Sequence, residues 1–256
     1  MTDPSDPLLR DEELDELDDP SPIARTMLTV LVTVIVAAVI VGGLAVASVM
    51  AKKTTTQVSQ VDLADAAQLS VQAGKADVRF VEGRGDTLVV RARVTSGLRK
   101  TSYALQRKGT DFVVDSSCQS WLAPGCGVEV TFEVPPGVPL VVATDSGDVE
   151  LQGVKDRVVT VATRSGDVEA DRLAVTELSA TTSSGDVEAS FTQQPFAVKI
   201  TTGDGDVDAE VPSGDVGYAV DVKSDSGDVE NGLTDTPDGQ GIVRVRTRAG
   251  DVELGQ

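Results

Sequence analysis

Three aspartates alternate in Gly203-Asp204-Gly205-Asp206-Val207-Asp208, the stretch of this 256-residue chain that comes nearest to an oxygen-ligand site. Calcium accepts carboxylate oxygens in flexible geometry. In one continuous strand Asp204, Asp206 and Asp208 share a face. The stretch departs from an EF-hand loop, because Ala209 stands where that loop needs glycine, and it lacks the nine-residue period of calcium-binding β-rolls. The plainer reading is a solvated acidic surface whose aspartates cap turns. Calcium is thus the one cofactor with any support, through those three residues alone; no other metal, cofactor or catalytic residue is expected.

The same acids recur. The residues Gly-Asp-Val appear with Gly147, Gly166, Gly185, Gly205, Gly227 and Gly250, at steps of 19, 19, 20, 22 and 23 residues. After each glycine come an aspartate, a valine and a further acid, as in Asp167, Val168 and Glu169. Carboxylates alone serve some polysaccharide-cleaving enzymes as general acid and base. Here they are evenly repeated, aromatic residues to stack a sugar make up only 3% of the chain, and histidine is absent. The chain is therefore read as a non-enzyme. Its net charge of −19 excludes nucleic acid as a partner, since phosphate binding needs a concentrated cationic surface.

Cys118 and Cys126 bracket CQSWLAPGC, whose Pro124-Gly125 pair suits a turn that brings the thiols together. The expectation is a disulfide, worth roughly 2–3 kcal/mol in the chain-entropy model and persistent outside the cytoplasm. Two buried free thiols, or half of a zinc site, are the alternatives.

What must position the repeated acids is a set of strands. Aligned on the glycine, apolar residues fall seven and five positions before it (Val159 and Val161 in one copy) and threonine or serine three before it. Two positions after it valine comes every time: Val149, Val168, Val187, Val207, Val229 and Val252. This period of two marks strands with one buried face. Each unit is a strand, a sharp corner where glycine supplies positive φ, a second strand, and a return with an apolar plug such as Val154, Leu173 or Phe196. One unit cannot bury its own apolar face, but stacked units can. The fold class expected is all-β, a β-solenoid or β-helix of about 20-residue coils, preceded by one transmembrane α-helix. A sandwich or barrel of hairpins is the runner-up.

The transmembrane expectation rests on Met27–Met50, 24 residues without a charge. As a helix this run spans about 36 Å, against a hydrocarbon core of roughly 30 Å. A cleaved signal peptide is the alternative, with Ala45-Val46-Ala47 as the cleavage site. The organisation expected is an acidic, disordered cytoplasmic tail (1–25), the span (26–51), a polar stalk (52–62) and an extracytoplasmic domain (63–256). Within that domain, 63–139 is irregular and 140–256 holds the regular repeats. The basic run from Arg84 to Lys108 reads as strand exteriors that face solvent, anionic envelope polymers or the membrane surface. The arginines of Val243-Arg244-Val245-Arg246-Thr247-Arg248 read as partners of the acidic rows, on a charged terminal strand that discourages edge pairing.

A single span, the stretch VEVTFEVPPGVPLVVATDSGDVEL (Val128 to Leu151) and serial SGDVE copies resemble the putative-adhesin family of bacterial envelope proteins, including its LiaG-like group. The resemblance covers about 65–256. It implies a β-solenoid-like domain outside the cell membrane and carries no catalytic residues. The function expected is a membrane-anchored, non-catalytic surface module that binds or supports envelope polymers or other surface proteins. The alternative is an envelope-stress accessory acting through the acidic tail.

Overall fold

The computed structural model describes residues 31–39, 53–63, 68–96, 100–108, 111–118, 126–214 and 217–256. The chain divides into two compact units, Met1–Val46 and Ala47–Gln256. In the first, residues 31–39 are helical, and Leu31, Val34, Ile35 and Val39 expose their side chains. Among the described residues no helix is long and apolar enough to cross a membrane. The acidic tail 1–25 and the remainder of the expected span 26–51 lie outside the described residues.

The second unit is all-β. Its strands in chain order are β1 Lys53–Asp62, β2 Leu69–Ala73, β3 Asp77–Glu82, β4 Thr87–Ser96, β5 Ser102–Lys108, β6 Asp111–Ser117, β7 Gly127–Val134, β8 Leu140–Thr144, β9 Val149–Gln152 and β10 Val158–Ala162. There follow β11 Val168–Leu173, β12 Glu177–Thr181, β13 Val187–Phe191, β14 Ala197–Asp204, β15 Val207–Glu210, β16 Tyr218–Ser224, β17 Val229–Asn231, β18 Gly241–Ala249 and β19 Val252–Gly255. They form two sheets, ordered β1-β4-β7-β3-β9-β11-β13-β15-β19-β17 and β16-β18-β14-β12-β10-β8-β2-β6-β5. Each coil gives one strand to each sheet, and the inward side chains of both sheets make one core.

The repeat alignment is the pairing register. Val149, Val168, Val187, Val207 and Val252 stack side by side in parallel strands, and all five are 1% exposed. Burying each contributes about 1.5–2 kcal/mol. The sixth member corrects the expectation: Val229 is 43% exposed, because its strand β17 is the edge of the sheet. Of the expected apolar plugs, Val154 and Leu173 are buried, whereas Phe196 is exposed and Phe191 is the buried residue beside its return.

Coil order departs from chain order at both ends. The coil β2–β3 pairs directly with β8–β9, so Leu69 lies beside Leu140 and Val78 beside Val149. The later coil β6–β7 stacks outside it. At the far end β18 lies between β14 and β16, and β19 between β15 and β17. The strand expected at the edge is therefore interior, and its arginines do not protect an edge. Arg244 and Arg246 reach Asp221 at 3.1 and 2.8 Å, and Arg248 reaches Asp204 at 2.5 Å, none of them in the regular acidic rows. The expected polar stalk contains β1, which pairs antiparallel with β4 along its whole length.

Candidate functional site: the acidic face

The glycines are demanded by stacking. A Cβ on Gly166 would lie 2.3 Å from the carbonyl oxygen of Gly147, and one on Gly185 equally close to Gly166. The same clash, at 2.0 to 2.3 Å, recurs at all six corners. Positive φ is a partial reason only. Gly185, Gly205, Gly227 and Gly250 have it, at 141 to 159°, whereas Gly147 and Gly166 do not. Inside the corner, the buried Thr202 and Thr247 hydroxyls donate to the carbonyls of Gly185 and Gly205, each at 3.1 Å. Thr144 instead bonds Gly147 of its own coil at 3.0 Å, and the Thr163 hydroxyl is buried without a partner.

The aspartates after the glycines are consumed by the fold. Each carboxylate accepts the backbone N–H of the aspartate on the next coil, from Asp77 through Asp148, Asp167, Asp186, Asp206 and Asp251 to Asp228. The six bonds measure 2.8 to 3.2 Å. They link coils, where the sequence reading placed them as caps within one turn. Glycine makes this bond attainable: without a Cβ, the corners approach until a short Asp side chain spans them.

The calcium candidates are accordingly not gathered. Asp204 ends β14, Asp206 sits in the corner and Asp208 lies on β15, so the three do not share one strand. Asp204 pairs with Arg248, and Asp206 holds the Asp251 N–H. Among the described residues no group of three His, Cys, Asp or Glu side chains is placed to hold a metal ion. Cys118 and Cys126 are joined as a disulfide, with Cα atoms 6.1 Å apart.

What faces solvent is the second row of acids: Glu150, Glu169, Glu188, Asp208, Glu253 and Glu230, aligned across parallel strands. At its proximal end, Arg79 on β3 meets Glu150 at 2.5 Å. On the same sheet Arg93 meets Glu129 at 3.2 Å, and Arg91 pairs with Glu133. Two arginines of the expected basic run are thus neutralised by β7. A groove of about 360 Å³ opens here, lined by Asp77, Arg79, Glu129, Asp148, Glu150 and Glu169 among others. Burial pushes the Asp77 carboxyl above its usual range, and the Asp148 and Glu129 charges add to the shift, against the hydrogen bond from the Asp148 N–H. Arg79 and Asp77 were not singled out from the sequence. Their signal is Ala76-Asp77-Val78, a degenerate corner in which alanine replaces glycine.

Asp156 was also missed. It is 5% exposed, between β9 and β10, and its Oδ1 accepts the Gly137 N–H at 3.1 Å while Oδ2 is buried without a partner. Burial pushes its pKa up to about 7 despite the Gly137 and Val138 N–H groups. It pins the Pro135-Pro136-Gly137-Val138-Pro139 connection against the stack and lies away from the acidic row.

The model of the Toastrack DUF4097 family matches residues 49–254. A solved putative cell adhesion protein from Clostridium sporogenes is 13% identical, with 80% of this chain and 100% of that chain covered and a TM-score of 0.49. For a putative adhesin from Bacteroides fragilis the values are 10%, 79%, 97% and 0.46. A putative lipid binding protein from Parabacteroides distasonis gives 10%, 79%, 95% and 0.31. No curated protein matches the chain.

Proposed function

The chain belongs to the Toastrack DUF4097 family, and from that premise we propose that it is a membrane-anchored, extracytoplasmic, non-catalytic module that binds envelope polymers or surface proteins. The observation that carries this reading is the division of labour between the two acidic rows. The aspartates are internal fasteners, whereas the glutamate row runs the length of the regular coils with one acid per coil at about 4.8 Å. A regular row suits an extended, repetitive partner better than a single small substrate. The uncharged run Met27–Met50 supports the anchor. The disulfide supports an oxidising compartment on the domain's side of the membrane.

The test is sedimentation of the full chain with isolated cell-wall material, with added calcium and with chelator. Saturable binding that weakens in Glu169→Gln/Glu188→Gln/Asp208→Asn and at high salt is expected. Binding that is linear in protein, or unchanged by those substitutions, overturns the reading. Loss of binding in chelator alone assigns a bridging cation to the row.

A further inference from the structure

The edge coil breaks the repeat at one chemically reactive place. Four positions after the other corner glycines stand Leu151, Ala170, Ala189, Ala209 and Leu254, all buried. In β17 that position is Asn231, the only asparagine of the chain, and Gly232 follows it. A polar side chain is tolerated there because β17 is three residues long, lies at the edge of its sheet and is exposed throughout. Asparagine is among the thermolabile residues. Before glycine it is least shielded, since no Cβ hinders the approach of the next backbone nitrogen to the side-chain amide.

The local geometry prepares one half of a cyclisation and blocks the other. Asn231 Oδ1 accepts the Leu233 N–H at 3.0 Å. This bond arches the side chain over the Asn231–Gly232 peptide and draws electrons from Cγ. Leu233 is itself buried, which anchors the arch. The nucleophile, by contrast, is withheld: the Gly232 N–H donates to the Leu254 carbonyl of β19 at 2.7 Å. Further hydrogen bonds hold β17 to β19, among them Val252 N–H to the Asp228 carbonyl at 2.9 Å and Asp228 N–H to the Asp251 carboxylate at 2.8 Å. No buried side chain of β17 adds to them.

We propose that Asn231-Gly232 is a self-modification site gated by the docking of β17 on β19. When the strand lifts, the freed Gly232 nitrogen gives its proton to solvent and attacks Asn231 Cγ. The new N–Cγ bond closes a succinimide ring, and the Cγ–Nδ2 bond breaks as ammonia leaves. Water then opens the ring at either carbonyl, leaving aspartate or isoaspartate. Either product puts a charge at the core-facing phase of the coil, which disfavours its return to the stack. Isoaspartate also adds a carbon to the backbone, so the β17–β19 register is lost beyond that point. A strand that has lifted and reacted is kept from returning, and the chain carries a one-way record of opening at this edge.

This site is independent of the anchoring and binding proposed above. In the test, the full chain is incubated in mildly alkaline buffer and the peptide holding residue 231 is followed by mass spectrometry, with isoaspartate resolved from aspartate. Isoaspartate is expected in wild type, because ring opening makes it and direct hydrolysis does not, and Asn231→Gln should give none. The folded chain should react at least about tenfold more slowly than the chain in urea. Asp251→Ala removes the acceptor of the Asp228 N–H and should speed the folded reaction roughly threefold to tenfold. Hydrogen exchange at the Gly232 amide should rise alongside, with circular dichroism unchanged. In wild type, urea below the main unfolding transition should raise Gly232 exchange and the reaction together, which tests the gate even where the variant does not fold. Equal rates in the folded and urea-unfolded chain, or a reaction that stays constant while Gly232 exchange rises, overturns the gate. Aspartate without isoaspartate overturns the ring.

Discussion

The carboxylate of Asp186 holds the backbone N–H of Asp206 at 2.8 Å, joining residues twenty positions apart on adjacent coils. Replacing Asp186 by alanine deletes that acceptor and should cost roughly 1–2 kcal/mol. Asp186→Asn keeps an oxygen in place and should cost less than half as much. Glu188→Gln, two residues on and facing solvent, should stay within about 0.5 kcal/mol of wild type. Urea denaturation of the three variants checks the order.

Close approach rather than φ governs the corners. Gly166 lacks positive φ, yet its Cβ would press on the Gly147 carbonyl at 2.3 Å. Gly153 has φ of 62° but open space around its Cβ. Gly166→Ala should therefore lower stability by more than about 3 kcal/mol, and Gly153→Ala by only about 1. Equal losses, read from thermal or urea melts, would contradict this assignment.

Asp156 makes stability depend on pH. Its folded pKa of about 7 exceeds the unfolded value near 3.9. Between those limits the folded state keeps a proton that the unfolded chain has lost, so stability falls as pH rises from about 4 to about 7 and then levels off. Asp156→Asn should flatten that window relative to wild type and melt no lower at pH 8. Melting temperatures at half-unit pH steps show whether the difference follows this course.

The Cys118–Cys126 bond closes a short loop beside the β6–β7 coil. Reduction should cost roughly 2–3 kcal/mol and lower the melting temperature without abolishing the strand signature in circular dichroism. Denatured, unreduced protein should show no reactive thiol.

Coil order is open to cross-linking. Thr201 lies beside Arg246 in the register, and in a stack that followed chain order it would face Lys223 instead. Cysteines at 201 and 246 should form a bond under mild oxidation, and cysteines at 201 and 223 should not.

The within-coil architecture was legible because valine, threonine and glycine recur at fixed phases, and those phases are the pairing register. The order of coils was not legible. Every coil offers the same apolar face, so Val220 could stack on Val198 as readily as Val243 does. Only the Arg248–Asp204 pair depends on the observed order; Arg244 and Arg246 would meet Asp221 in either stack, since β16 and β18 are neighbours in both. The aspartate ladder was half visible: a turn-capping role was expected, but its partner on the next coil depends on how closely corners approach. Asp156 left no trace, because it sits in Lys155-Asp156-Arg157, which looks like solvent-facing charge. The polar sequence of β1 hid a strand that needs only one paired edge.

The displacement of β18–β19 into the stack carries a cost in time. Residues 218–231 leave the ribosome before residues 241–256, yet their hydrogen-bonding neighbours in both sheets belong to the later segment. While the chain is being made, the β16–β17 coil has no lasting place, and its best provisional seat is the one β18–β19 will need. The β16–β19 end of the domain can then settle only after residues 241–256 have emerged, which makes its completion a late event in the folding of the chain.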